Sequence, residues 1–189
     1  MANFNDALLF TLKHEGTTLL EDKISRERSR YGITQLLLRA INYGITDPNN
    51  LMQSDVQNIY NKVFWQPNNL TSINSQLIAN KIFDMMVNMG QFQATKLLQA
   101  SLNSIGRHCV IDGKLGPHTM IELNASIDTQ LLEELRIKCV GFYTAIAKDN
   151  NAKYLAGWLT RSNDVGYGEV DYKAYNTLRS GDDDKIVRG

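Results

Sequence analysis

Long apolar runs are absent from this sequence. The longest are only a few residues, whereas crossing a bilayer as a helix takes about 20, so membrane insertion is not expected. The N-terminus MANFNDALLF lacks a basic segment followed by a continuous apolar one, so no secretory signal peptide is expected and synthesis as a soluble cytoplasmic product is. An excess of charge of one sign is also missing. Twenty basic residues balance twenty acidic ones, which removes the electrostatic footprint of a nucleic-acid partner or an anionic membrane. Cysteine is scarce: Cys109 and Cys139 stand far apart with no CxxC spacing, so a disulfide framework is excluded and two buried thiols are expected. His14, His108 and His118 have no acidic or cysteine partners at metal-ligand spacing, so neither a metal nor another cofactor is expected. Repeats, heptad runs and low-complexity tracts are missing as well.

What remains is globular. Apolar residues make up 43% of the 189-residue chain and charged residues 21%, enough to bury a core in one domain or in one domain with two lobes. Asn3 or Asn5 caps a first helix in which Phe4, Leu8, Thr11 and Leu12 recur at helical spacing, with Gly16 placed to end it. The polar stretch 17–30 has too little apolar periodicity for a core helix and reads as a loop or short hairpin. Thr34 caps a helix that stops by Gly44, and Ser54 opens another with Val56, Ile59, Tyr60, Val63 and Phe64 inward. Helices over 75–89 and from Phe92 to Ile105 form an αα-hairpin broken at Gly90. Pro117 starts a short helix, a long one runs from Asp128 to Lys148, and a last helical stretch holds Tyr154, Leu155, Trp158 and Leu159. The Gly-rich, charged end reads as a solvated tail.

Glu15 stands at the end of the first apolar stripe, within about 20° of the face of Phe4 at about 100° per residue. Desolvation by that stripe and the negative end of the helix dipole both favour a protonated carboxyl, the state that protonates a leaving oxygen in glycoside hydrolysis. By the same argument Glu15→Gln should leave stability unchanged or slightly higher. On spacing alone, a glutamate reaching from a helix end into solvent is the plainer reading.

His14-Glu15-Gly16, a polar loop and Tyr31-Gly32-Ile33-Thr34 resemble the N-terminal signature of glycoside hydrolase family 108, the lysozyme-like N-acetylmuramidases. Ile59-Tyr60 with Phe64-Trp65, Phe83-Asp84 with Val87-Asn88-Met89-Gly90, and Leu98-Gln99 follow in that family's order and spacing. Asp112-Gly113-Lys114-Leu115-Gly116-Pro117-His118-Thr119 resembles the DGxxGPxT element of its associated peptidoglycan-binding region, and Gly157-Trp158-Leu159 with Arg161 resembles the segment that closes it. The resemblance spans residues 4–165. It implies a mainly α, lysozyme-like helical fold with a short loop or hairpin after the first helix and two closely packed lobes. The division it implies is a catalytic lobe over 1–91, a helical peptidoglycan-binding-like lobe over 92–165, and a polar tail over 166–189. The implied activity is cleavage of the β-1,4 bond between N-acetylmuramic acid and N-acetylglucosamine, endolysin-fashion, with Glu15 as general acid. The implied partner is the peptidoglycan glycan strand, with a holin or a secretion pathway carrying the chain to the cell wall in the periplasm.

The second catalytic group is left open by the loop. Family members continue Glu-Gly-Gly with two Asp-Pro steps and a Thr before Gly-Ile-Thr; here Thr17 replaces the second Gly, Glu21 stands at the first Asp, Ile24 at the second and Ser29 at the Thr. Glu21 is the candidate second carboxylate, with Asp22 the alternative if the loop shifts by one, and Ser29 the candidate for holding a water. A solvated surface turn accounts for these residues as well. Asp84 and Asn88 stand four apart on one helix face and, with Tyr31 and Gln99, are the candidate sugar-binding residues. Arg26, Arg28 and Arg30 alternate, placing guanidiniums beside Glu21 or Glu15 or against the carboxylates of peptidoglycan. Trp65 and Trp158 suit sugar stacking and suit a core equally. Two other functions compete: a peptidoglycan-binding module of the same fold with altered loop chemistry, and a helix-turn-helix DNA binder, which the neutral charge disfavours.

Overall fold

The computed structural model describes residues 1–15, 19–21 and 27–166, apart from the Asn150 side chain. Eight α-helices lie among the described residues: α1 Phe4–Leu12, α2 Gln35–Ala40, α3 Gln53–Tyr60, α4 Gln76–Met89, α5 Gln91–Ser104, α6 Pro117–Asn124, α7 Asp128–Ile146 and α8 Leu155–Asn163. The strands β1 Leu20–Glu21, β2 Arg28–Arg30 and β3 Ile33–Thr34 form one antiparallel sheet in sequence order. The expected mainly α class holds. The loop or hairpin foreseen after the first helix gains a third short strand.

Local chemistry sets these boundaries. Asn3 caps α1 by accepting from the backbone of Asn5 and Asp6, Thr34 caps α2 through Leu37, and Ser75 caps α4 through Ile78. The α3 helix begins one residue before the expected Ser54 and continues as a π-helical turn over Asn61–Trp65. The first helix stops at Leu12, short of the expected end at Gly16, which itself lies outside the described residues. After Leu12 the chain tightens into three-residue turns, with His14 N–H donating to Thr11 O at 3.0 Å and Glu15 N–H to Leu12 O at 3.2 Å. Glu15 therefore leaves the helix and is free to point away from its apolar stripe.

The sheet turns between β2 and β3 through Tyr31 and Gly32, both at positive φ (54° and 71°). Two left-handed residues in a two-residue loop are what an antiparallel hairpin with the native twist requires. The following Thr34 then caps α2, so Tyr-Gly-Ile-Thr is a turn, one buried strand residue and a helix start.

The α4 helix is the hub, packing on α1, α5 and α7. Phe83 on α4 is fully buried and meets Phe4, Tyr60, Phe64 and Trp65 with centroids 5.7–6.5 Å apart and rings mostly edge to face. Across α4, Leu98, Leu102, Leu131, Leu135, Cys139 and Tyr143 continue the same buried core. Cys109 and Cys139 are buried free thiols, and burial pushes the Cys139 thiol up to about 11. Among the described residues no helix is long and apolar enough to cross a membrane. Thr17, Asp22, Ile24, Arg26 and the expected tail past Gly166 lie outside the described residues.

Candidate active site

Glu15 is gripped by a cation from the far end of the chain. Arg161, in the last turn of α8, places Nη1 2.6 Å from Glu15 Oε1. Its Nε straddles the Asp84 carboxylate at 3.0 Å to each oxygen, and its Nη2 lies 2.8 Å from Asp84 Oδ1. One guanidinium thus joins carboxylates from α4 and from the end of α1, a use of its planar fork that lysine lacks. The cluster is enclosed: side-chain exposure is 16% for Glu15, 10% for Arg161 and 2% for Asp84. Burial alone would lower the Arg161 guanidinium, but the Asp84 and Glu15 carboxylates outweigh that and raise it. Arg161 therefore stays a cation. The ion pair also changes the expected sign for Glu15→Gln: removing the charge weakens a hydrogen bond between charged groups, worth about 1.5–3 kcal/mol when complete, so stability should fall modestly.

The other wall of the Glu15 carboxyl is the β2–β3 turn. A Cβ on Gly32 would sit 2.5 Å from Glu15 Oε2 and 2.7 Å from the Tyr60 hydroxyl. Only glycine lets the turn lie against the carboxyl, and its positive φ makes any side chain there strained as well. Tyr60 reaches up from α3 and donates to Tyr31 O at 2.6 Å, fixing the turn. Burial, and then the Glu15 charge, hold the Tyr60 hydroxyl well above its ordinary range, so it stays a donor.

A cavity of about 330 Å³ is lined by Arg161 together with His14, Asn88, Tyr154, Gly157 and Trp158, among others. Trp158 stacks on Tyr143 at 5.0 Å and 25°, and Asn88 Nδ2 donates to Tyr143 Oη at 2.6 Å. His14 Nε2 lies 3.0 Å from Asp164 Oδ2; burial lowers its pKa below the ordinary 6.5. Flat aromatic rings beside amide and imidazole groups suit a sugar ring with its N-acetyl group.

The sequence candidates divide. Asn88 lines the cavity, as a cleft-facing residue should. Asp84 does not: it is turned inward, with both oxygens occupied by Arg161. Gln99 is 1% exposed, donates to Asp112, Lys114 O and Thr119, and accepts from Gly113 N–H. It braces the Asp112–Pro117 loop from within and is not turned toward a substrate. Tyr31 contributes its carbonyl to Tyr60, with the Arg30 guanidinium 4.8 Å above its ring. Trp65 is core, bonded to Thr71, whereas Trp158 lines the cavity. Glu21 pairs with Arg28 and Ser29 with Leu20 and Thr34 across the sheet. Cross-strand partners share a face and neighbours along a strand do not, so Glu21 and Ser29 occupy opposite faces and do not form one cluster. Arg28 pairs with Asp47 at 2.7 Å and Arg30 donates to Asn49 O, so the guanidinium on Glu15 is Arg161. Gly32, Tyr60 and Arg161 lie inside the recognised motifs, yet nothing in their spacing shows that they converge. Among the described residues no group of three His, Cys, Asp or Glu side chains is arranged to hold a metal ion.

Residues 8–90 match the family Glycosyl hydrolase 108, and residues 93–163 match the Predicted Peptidoglycan domain. Over residues 8–90 the chain is therefore similar to glycosyl hydrolase family 108. Together the two matches place the chain in a peptidoglycan hydrolase family, with peptidoglycan as its substrate class. Among solved structures, Brucella abortus SagA superposes with a TM-score of 0.68 at 16% identity over 97% of both chains, which establishes the shared fold. The fold is lysozyme-like, with two closely packed lobes. No curated protein matches the chain in sequence.

Proposed function

We propose that this family 108 chain is an N-acetylmuramidase: it cuts the β-1,4 bond between N-acetylmuramic acid and N-acetylglucosamine, with Glu15 as general acid. The observation that carries this reading is the position of Glu15. It is enclosed where the end of α1, the Tyr31-Gly32 turn and α8 converge, and among the described residues it is hydrogen-bonded on Oε1 alone. Arg161 bonds Oε1 and leaves Oε2 on the Gly32 side, so Oε2 is the oxygen that carries the proton to the glycosidic oxygen. The sheet supplies the second group. Because Glu21 and Ser29 lie on opposite faces, only one of them acts with Glu15, and Glu21 is the one able to serve as a base or a nucleophile. Asn88 and Trp158 in the cavity hold the sugar. The place of action is the cell wall in the periplasm, reached through a holin or a secretion pathway.

One observation favours a binding module without catalysis: the Glu15 carboxyl is engaged by a cation, as a purely structural glutamate would be. Digestion of purified peptidoglycan separates the two. After borohydride reduction of the products, new ends should appear as muramitol, the reduced form of N-acetylmuramic acid. New glucosaminitol ends would refute the proposed bond, and an absence of new ends alongside retained binding would establish the binding module.

A further inference from the structure

The Glu15–Arg161 contact is held from beneath by a buried lysine that the chemistry above does not use. Lys81 on α4 is 1% exposed. Its Nζ donates to three carbonyls, Arg161 O at 2.9 Å, Ser162 O at 3.0 Å and Asp164 O at 2.8 Å. An ammonium has three protons, and all three are taken. These carbonyls are the ones that the end of α8 leaves without helical partners, at the negative pole of the helix. A buried charge is expensive unless every proton finds such a partner, so the site is built for an ammonium rather than tolerant of one.

Lys81 and Asp84 stand three apart and share one face of α4. Asp84 holds the side chain of Arg161 and Lys81 holds its main chain, so one helix grips both ends of the residue. The segment is also tied to the other lobe. The Asp164 carboxylate lies 3.0 Å from His14 Nε2 and 2.5 Å from Lys13 Nζ, beside Glu15. Residues 161–164 are therefore pinned to α4 from below and to the end of α1 from the side.

We propose that Lys81 is a positioning residue for the Glu15 site: by fixing the last turn of α8 it sets where the Arg161 guanidinium meets Oε1, and thereby which Glu15 oxygen stays open to substrate. This rests on Glu15 acting as the general acid. Lys81 makes no contact with the reacting atoms and acts through the 161–164 segment that carries Arg161.

The test compares wild type with Lys81→Met in the full chain, both shown folded by circular dichroism at the assay temperature. On purified peptidoglycan, kcat should fall on the order of ten- to a hundredfold, the size of effect a small misplacement of a catalytic group produces. KM should change less than kcat, since Arg161 is the one cavity-lining residue that Lys81 bonds, while Asn88, Gly157 and Trp158 make no hydrogen bond to it. In nitrogen-15 spectra the Arg161 Nε–H, bonded to Asp84, should exchange slowly in wild type and rapidly in the variant. A folded Lys81→Met chain with wild-type kcat and a protected Arg161 Nε–H overturns the proposal, and so does a pure KM effect. If Lys81→Met does not fold, Lys81→Gln, which keeps two donors, carries the same comparison. Glu15→Gln run alongside separates the two ideas. Full activity in that variant defeats the general-acid reading, whereas an inactive Glu15→Gln beside a fully active Lys81→Met defeats the positioning role alone.

Discussion

At the scale of single residues, what distinguishes the site is the choice of neighbours. Glu15 meets a guanidinium, a glycine with no Cβ to spare and a hydroxyl that keeps its proton. Next to it, His14 is half-buried, and burial holds its pKa below 6.5. The sign of the consequence follows by linkage. Between the depressed folded value and 6.5 the unfolded chain binds the proton and the folded chain does not, so stability rises with pH there. Full stability is present above pH 6.5, is lost as pH falls through that window, and levels off below the folded value. The Asp164 carboxylate titrates lower: Lys13 and the Gly166 N–H overcome burial and hold it below 3.8, so its own contribution is lost only in strong acid. Melting temperatures of wild type and His14→Gln measured from pH 8 to pH 5 should therefore separate below pH 6.5, with wild type losing more. A wild type that gains on the variant as pH falls would show that the Asp164 contact, and not burial, governs His14. Sequence alone flagged His14 only as part of a motif, because a residue's burial is not a property of its own segment.

At the scale of elements, the helices were legible and the sheet only partly. The cap at Asn3, read with Asn5 as its alternative, the cap at Thr34, the break at Gly90 and Pro117 at a helix start are local signals that act where they were read, while Ser75, read as the first residue of its helix, caps it instead. The end of α1 was misread because Gly16 was taken as its stop, whereas the helical hydrogen bonds give way after Leu12. The sheet registers were not legible at all, since two- and three-residue strands carry too few side chains to fix a period. The register has a functional consequence. With Glu21 and Ser29 on opposite faces, Glu21→Gln should slow glycan cleavage by about a hundredfold or more, the scale of an acid–base group, and Ser29→Ala by far less. Turnover of both variants on purified peptidoglycan measures this. A Ser29→Ala chain as impaired as Glu21→Gln would mean that the Ser29 face is the one turned to the substrate.

At the scale of the whole molecule, the site exists because the chain returns on itself. Glu15 and Arg161 are 146 positions apart, and they meet because α4 packs against both α1 and α7, while α7 carries α8 back to the end of α1. The family resemblance in the sequence foretold the lysozyme-like fold and pointed to Glu15, but it assigned Arg161 only to a closing segment. It also turned Asp84 and Gln99 toward the sugar, whereas the structure spends both on internal bonds. Long-range ion pairs and internal braces depend on how helices pack, which periodicity does not encode. The central claim is that Glu15 delivers the proton, and one comparison tests it directly: reducing-end release from purified peptidoglycan by wild type and by Glu15→Gln, with binding to the same material measured in parallel. The account predicts a loss on the order of a hundredfold to ten-thousandfold in release with binding retained, and near wild-type release by Glu15→Gln would contradict it.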